Sequence, residues 1–375
     1  MEVQEEQNEY KTELKKEDKK RNINLDIIRC IAIFSVISVH FFLKIDFYNT
    51  PIVGKRMYLM SIMRTFFMIC VPLFLLLTGY LMNKKTMSKR YYWGIHRILV
   101  IYVLASICCI LLTVFYLKKE VGFKQTIWSI LDFSAAPYSW YINMYIGLFL
   151  LIPFLNILYW GLEKQKYKQW LICTLLLLTM FPSICNTGWW TALTSGGAIH
   201  QVVPDWWGGI YPITYYYIGA YLKEYDWKLG KKLNLFLLVG AVLLFGTLNF
   251  YRSYGVAYVL DTFTAFEGAQ SVCIAVLLFV FIKHLNCEKV PRWLNKIIVI
   301  VSEVSMGTYL LSWIFDMVVY SKINQMVPYI PNRLEYYVIA VPCVFVASTL
   351  LSYVIHAIYN GGVLLCRSIK KSAGL

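Results

Sequence analysis

The sequence predicts an all-α fold, a polytopic membrane helix bundle of about ten transmembrane helices with both ends on the inner side. Three observations predict it. Of 375 residues, 59% are hydrophobic and only 15% charged, too apolar for a water-soluble domain of this length. Long apolar runs recur along the whole chain, each close to the roughly 20 residues that a spanning helix needs. The Lys and Arg residues fall between those runs, mostly at alternate connections.

The runs follow in order. Residues 1–22 are almost entirely polar and read as a disordered cytoplasmic tail. Spans are expected at 23–43, 58–82, 95–117, 138–160, 169–184, 210–222, 233–250, 260–283, 297–320 and 336–359. Residues 118–137 are mixed and short, so they either lie at the interface or re-enter. A Trp- and Gly-rich connection occupies 185–209, and 361–375 forms a short basic cytoplasmic tail. The unit is therefore one membrane domain, 23–360, between two tails. Every connection on the inner side is basic, whereas 185–209 carries no Lys or Arg. That asymmetry sets the orientation and places the chain as a multi-pass protein of the plasma membrane.

The net charge of +15 is dispersed over short connections and makes no basic domain, so nucleic acid is not an expected partner; membrane lipids are. The ten cysteines include no CxxC and no Cys/His ligand spacing, so no metal site is expected and the thiols read as small packing groups.

Ionisable residues inside apolar runs are costly and mark sites. Asn24 to Phe42 holds Asp26, Arg29 and His40. Arg29 and His40 are eleven positions apart. At about 100° per residue both side chains share one helix face, about 16 Å apart along the axis. His40 can take a proton from a hydroxyl or carry an acyl group, or it can serve packing alone. Asp26 can neutralise Arg29. Arg64, in the second run, calls for a carboxylate, a phosphate or an oxyanion. The basic connection with Lys84, Lys85, Lys89, Arg90 and Arg97 is a phosphate-binding candidate or a plain topology determinant. Trp140, Tyr141 and Tyr145 line either a substrate site or an aromatic belt. Glu267 is an intramembrane carboxylate whose partner the sequence does not name.

Four blocks carry a resemblance to a known family. They are LDIIRCIAIFSVISVH, holding Arg29 and His40; VPLFLLLTGYLMNKK at 71–85 with KRYYWGIHRILVIYVL at 89–104; SWYINMYIGLFLLIPFL at 139–155; and SEVSMGTYLLSWIF at 302–315. With YYYIGAYL at 215–222 they span nearly the whole chain. They are similar to the acyltransferase-3 family of membrane proteins, which O-acylate extracytoplasmic glycans. In many relatives a His follows the YL pair of the last block, whereas here Ser312 stands after Leu311, so any role of that His is absent or reassigned.

The resemblance implies acyl-CoA, most often acetyl-CoA, as the donor and a hydroxyl of a glycan or lipid-linked saccharide as the acceptor. With that chemistry in mind, the residues read as a catalytic set of His40, Arg29, Arg64 and Tyr141, Arg64 stabilising the tetrahedral oxyanion. CoA phosphates are expected at Arg29, Lys89, Arg90 and Arg97, and the acceptor at Trp140, Tyr145 and Glu267. A homodimer is left open. The competing reading is a transporter or glycan flippase, since intramembrane Arg, His and Glu also suit proton-coupled transport; against it, the chain has no inverted repeat. The many Ile, Lys, Tyr and Asn residues fit a low-GC bacterium.

Overall fold

A computed structural model describes residues 21–186, 203–287 and 290–372. The expected polar tail, apart from its last two residues, most of the Trp-rich connection and the side chains of the basic tail lie outside the described residues.

The first helix, α1 (Ile23–Lys44), opens on Asn22, whose side chain accepts from the Asn24 amide. Asp26 in its first turn and Lys44 in its last both suit the helix dipole. Asn24 then reaches across the bundle. Its amide donates to the carbonyls of Ile282, Lys283 and Leu285 at 2.8–3.0 Å, supplying side-chain partners at the end of another helix.

The expected second span is two helices, α2 (Gly54–Phe67) and α3 (Cys70–Met82). The break at 68–69 has a cause in Pro72, which lacks an N–H and whose ring crowds the carbonyl of Met68. A short α4 (Lys89–Trp93) leads into α5 (His96–Phe115). Residues 118–137 do not cross. They hold α6 (Phe123–Leu131), in which no residue is buried, as an interfacial amphipathic helix requires.

Helices α7 (Trp140–Gly161), α8 (Gln165–Thr179) and α9 (Phe181–Cys185) follow. After the undescribed segment come α10 (Tyr211–Glu224), α11 (Lys231–Arg252), α12 (Ala269–Lys283), α13 (Arg292–Met326) and α14 (Tyr337–Ser372).

Among the described residues, eight helical stretches are long and apolar enough to span. The remaining two of the ten expected segments are α10, with 14 residues, and α12, with 15. At about 1.5 Å per residue each falls short of a roughly 30 Å hydrocarbon layer. The run expected at 260–283 turns helical only at Ala269. Residues 261–268 form turns in which the Asp261 and Thr264 side chains cap each other's backbone amides at 3.0 and 3.1 Å. Non-helical backbone at membrane depth is tolerated where protein surrounds it.

The bundle has an inner and an outer ring. About two-thirds of the spanning windows of α1 and of α2–α3 (67% each) is buried in protein, against 28% for α4–α5, α8–α9 and α11. The inner contacts pair α13 with α14 and α1, and α10 with α3. The α3–α10 crossing is close because Gly79 faces the Tyr216 backbone and Gly219 faces the Leu76 carbonyl. A Cβ at either position would collide with main chain. Such small-residue crossings hold helices together where lipid removes the hydrophobic drive.

Candidate active site

The shared face of α1 brings Arg29 and His40 to two different environments. At the basic end of the bundle, Arg29 donates to the Ser302 hydroxyl at 2.7 Å and lies 3.5 Å from Asp26. Ser302 in turn donates to Asp26 at 2.5 Å. Asp26 also accepts two bonds from Arg21, at 2.7 and 2.9 Å, and Arg21 pairs with Glu303 as well. Its hydrogen bond to Asp26, with Glu303 alongside, raises the Arg21 pKa above its ordinary value.

These groups edge a cavity of about 1040 Å³. Six cations line it, from Arg21, Arg29, Lys84, Lys85, Arg97 and Lys223, against the carboxylates of Asp26 and Glu303. The excess of positive charge makes it an anion site. Lys89 and Arg90 lie outside this wall, exposed on α4. Lys223, from the end of α10, takes a place that the sequence reading had not given it.

A narrower space of about 190 Å³ continues inward. It shares Arg29, Leu81, Ser305 and Met306 with the basic cavity and runs on past Val36, Phe74, Thr78, Tyr141, Tyr145 and Tyr309. Of the aromatic candidates, Tyr141 and Tyr145 therefore line this channel, their rings 6.1 Å apart. Trp140, one residue away on the helix, points elsewhere and stacks on Phe266 at 5.7 Å. Glu267 follows Phe266 directly and is half-buried there, so Trp140 and Glu267 share a neighbourhood outside the channel.

His40 is not part of this lining; its ring lies 6.3 Å from that of Tyr309. It lies against the Tyr138 ring at 3.8 Å. The Nδ1 of His40 is 3.4 Å from Oδ2 of Asp316, a close contact without hydrogen-bond geometry, and makes no hydrogen bond. The Tyr138 hydroxyl donates to the same Oδ2 at 2.8 Å, and the Tyr309 hydroxyl donates to the Tyr138 carbonyl. His40 is 8% exposed and Asp316 1%. A carboxylate beside one imidazole nitrogen leaves the other nitrogen, Nε2, outside that contact.

Asp316 and Tyr138 are the residues that sequence reasoning missed. Asp316 carried a signal, being a carboxylate inside the ninth apolar run. It lies one helical turn after Ser312, whose own hydroxyl donates to the Tyr309 carbonyl at 2.8 Å.

Arg64 is placed apart from this cluster. It is 3% exposed and donates to the Tyr48 hydroxyl at 3.2 Å, the Tyr258 hydroxyl at 3.5 Å and the Thr264 carbonyl at 2.8 Å. Both tyrosine rings also pack beneath its guanidinium, at 5.7 and 5.0 Å. Its partners are hydroxyls, a carbonyl and π faces, where a carboxylate, phosphate or oxyanion was expected.

One helical bundle thus holds a basic cavity, a smaller adjoining space that reaches Tyr309, and a buried His40–Asp316 contact next to Tyr309. The signature of the acyltransferase-3 family, described as an acyltransferase domain, matches residues 22–357. The chain belongs to that family, and it is a membrane acyltransferase. No curated protein and no solved structure matches it.

Proposed function

We propose that the protein moves an acyl group, most simply acetyl, from cytoplasmic acyl-CoA to a hydroxyl of an extracytoplasmic or lipid-linked glycan at the plasma membrane. The observation that carries this reading is the basic cavity with its inward extension to Tyr309, whose ring lies 6.3 Å from that of His40. CoA is a polyanion that does not cross lipid, so its phosphates stay with Arg29, Lys84, Lys85, Arg97 and Lys223. The pantetheine arm is thin enough for a channel walled by Phe74, Thr78 and Tyr141. The thioester then reaches the level of His40.

In the transfer, Nε2 of His40 takes the proton of the acceptor hydroxyl as the oxygen attacks the thioester carbonyl. The tetrahedral intermediate collapses, the C–S bond breaks, and the departing thiolate takes the proton back from the imidazolium. Asp316 stabilises that imidazolium. Its position at Nδ1 favours general-base work over a covalent acyl-histidine. Arg64 is given no step here; its Nε and Nη1 bond Tyr48, Tyr258 and Thr264.

Purified protein in nanodiscs tests the reading through acetyl-CoA binding and consumption. Wild type is expected to bind and slowly hydrolyse the donor, His40→Ala to bind without turnover, and Arg97→Ala to bind weakly. Wild type that ignores every acyl-CoA would sink the proposal and favour a flippase.

A further inference from the structure

The cations of the basic cavity attract any polyanion alike. Two neutral-wall side chains there hold hydrogen-bonding capacity that the protein itself does not use. Asn83, closing α3, is 3% exposed, and its Nδ2 has no partner. His356, on α14, is 6% exposed, and neither of its ring nitrogens has one. Both residues line the cavity, from different helices.

Buried polar groups are nearly always satisfied, so two such residues in one wall call for an explanation. Local structure does not supply it. The connection after α3 is held by the Asn156 side chain, which donates to the Met82 and Lys85 carbonyls at 2.9 and 2.8 Å, and by Trp160, which donates to the Asn83 carbonyl at 2.6 Å. One turn beyond His356, the contact between α14 and α5 is made by Tyr359 with His96 at 2.9 Å. Neither the Asn83 amide nor the His356 ring is needed for these junctions.

We propose that Asn83 and His356 are specificity residues that read the nucleotide end of the donor, a proposal that rests on the acyl-CoA reading of the cavity. A carboxamide presents a donor and an acceptor side by side, the pattern that matches the edge of adenine. An imidazole N–H beside Arg97 suits a phosphate oxygen. The cations bring the ligand in, and these two groups tell a purine nucleotide from other polyanions.

The test compares acetyl-CoA, acetyl-pantetheine and adenosine bisphosphate as ligands of the full-length protein, in wild type, Asn83→Ala, His356→Ala and His356→Gln. Each alanine variant is expected to weaken acetyl-CoA and adenosine bisphosphate about tenfold while lowering the preference for acetyl-CoA over acetyl-pantetheine by the same factor. His356→Gln, which keeps an N–H donor, is expected to recover part of that preference. Unchanged nucleotide affinity in both alanine variants overturns the proposal. So does equal weakening of acetyl-CoA and acetyl-pantetheine, which would mark a structural role. Wild type that binds acetyl-CoA but not adenosine bisphosphate overturns it too, and leaves the function standing. Wild type that binds no acyl-CoA overturns both.

Discussion

The Nδ1 of His40 and the Oδ2 of Asp316 stand 3.4 Å apart inside the bundle, and the same oxygen accepts the Tyr138 hydroxyl at 2.8 Å. The contact joins α1 to α13, two helices that pack directly against each other. A carboxylate so buried needs partners, and here they are an imidazole and a phenol. The pair therefore depends on the helix packing as much as on either residue.

Asp316→Asn keeps the shape of the side chain and removes its charge. It is expected to lower acetyl-CoA turnover by about 10²–10³, with His40→Ala losing at least as much. Turnover is measured beside thermal unfolding, which should move little for Asp316→Asn. Full activity in that variant would reduce the contact to packing.

Thr78 lines the channel between the basic cavity and Tyr309. Thr78→Phe is expected to fill the space, leaving nucleotide binding intact while turnover falls more than about tenfold. Isothermal titration with adenosine bisphosphate separates the two effects. A loss of both would point to misfolding instead.

Gly79 and Gly219 face main chain across the α3–α10 crossing. Gly79→Val is expected to force the helices apart and cost about 1–3 kcal/mol or more, read as a lower unfolding temperature in detergent. Gly147, which has nothing within 4 Å of an added Cβ, supplies the control: Gly147→Ala should be close to neutral.

Arg64→Ala strands the Thr264 carbonyl and two tyrosine hydroxyls in the interior. A loss of about 1–3 kcal/mol is expected, with Arg64→Lys recovering only part because one ammonium cannot reach all three. Were Arg64→Ala stable but inactive, the oxyanion role expected from the sequence would return.

Asp226, in the connection after α10, bonds Lys283 and His284, and these hydrogen bonds hold its pKa down to about 2. A depressed folded-state value adds stability above the ordinary carboxylate value of about 3.9, and that stability fades as the pH falls toward about 2. The side chain is 44% exposed, so the gain at neutral pH is under about 1 kcal/mol. Asp226→Asn should lower the unfolding temperature slightly at pH 7, with the gap narrowing below about pH 4. A gap that widens in acid would contradict the assignment.

The sequence by itself determined the membrane class, the run of apolar segments and the stripe that sets Arg29 and His40 on one face of α1. Those are local properties: hydropathy follows from composition, and a helical period places residues eleven apart on one side whatever lies beyond. It also marked the basic connection, though not which of its cations point inward. Lys84, Lys85 and Arg97 line the cavity while Lys89 and Arg90, a few positions away, do not.

Only the tertiary structure decided what each ionisable group meets. It gave His40 the Asp316 of a distant helix, gave Arg64 two tyrosines and a carbonyl, and set Trp140 and Glu267 outside the channel. It likewise replaced the start of the expected 260–283 span with turns. The reason is physical. Hydropathy tells a helix to enter lipid but is nearly blind to which helix lies beside it, because lipid tails are as apolar as leucine. Neighbours are chosen by close packing at places such as Gly79 and Gly219, and by a few buried hydrogen bonds, and these become visible only when the helices are brought together.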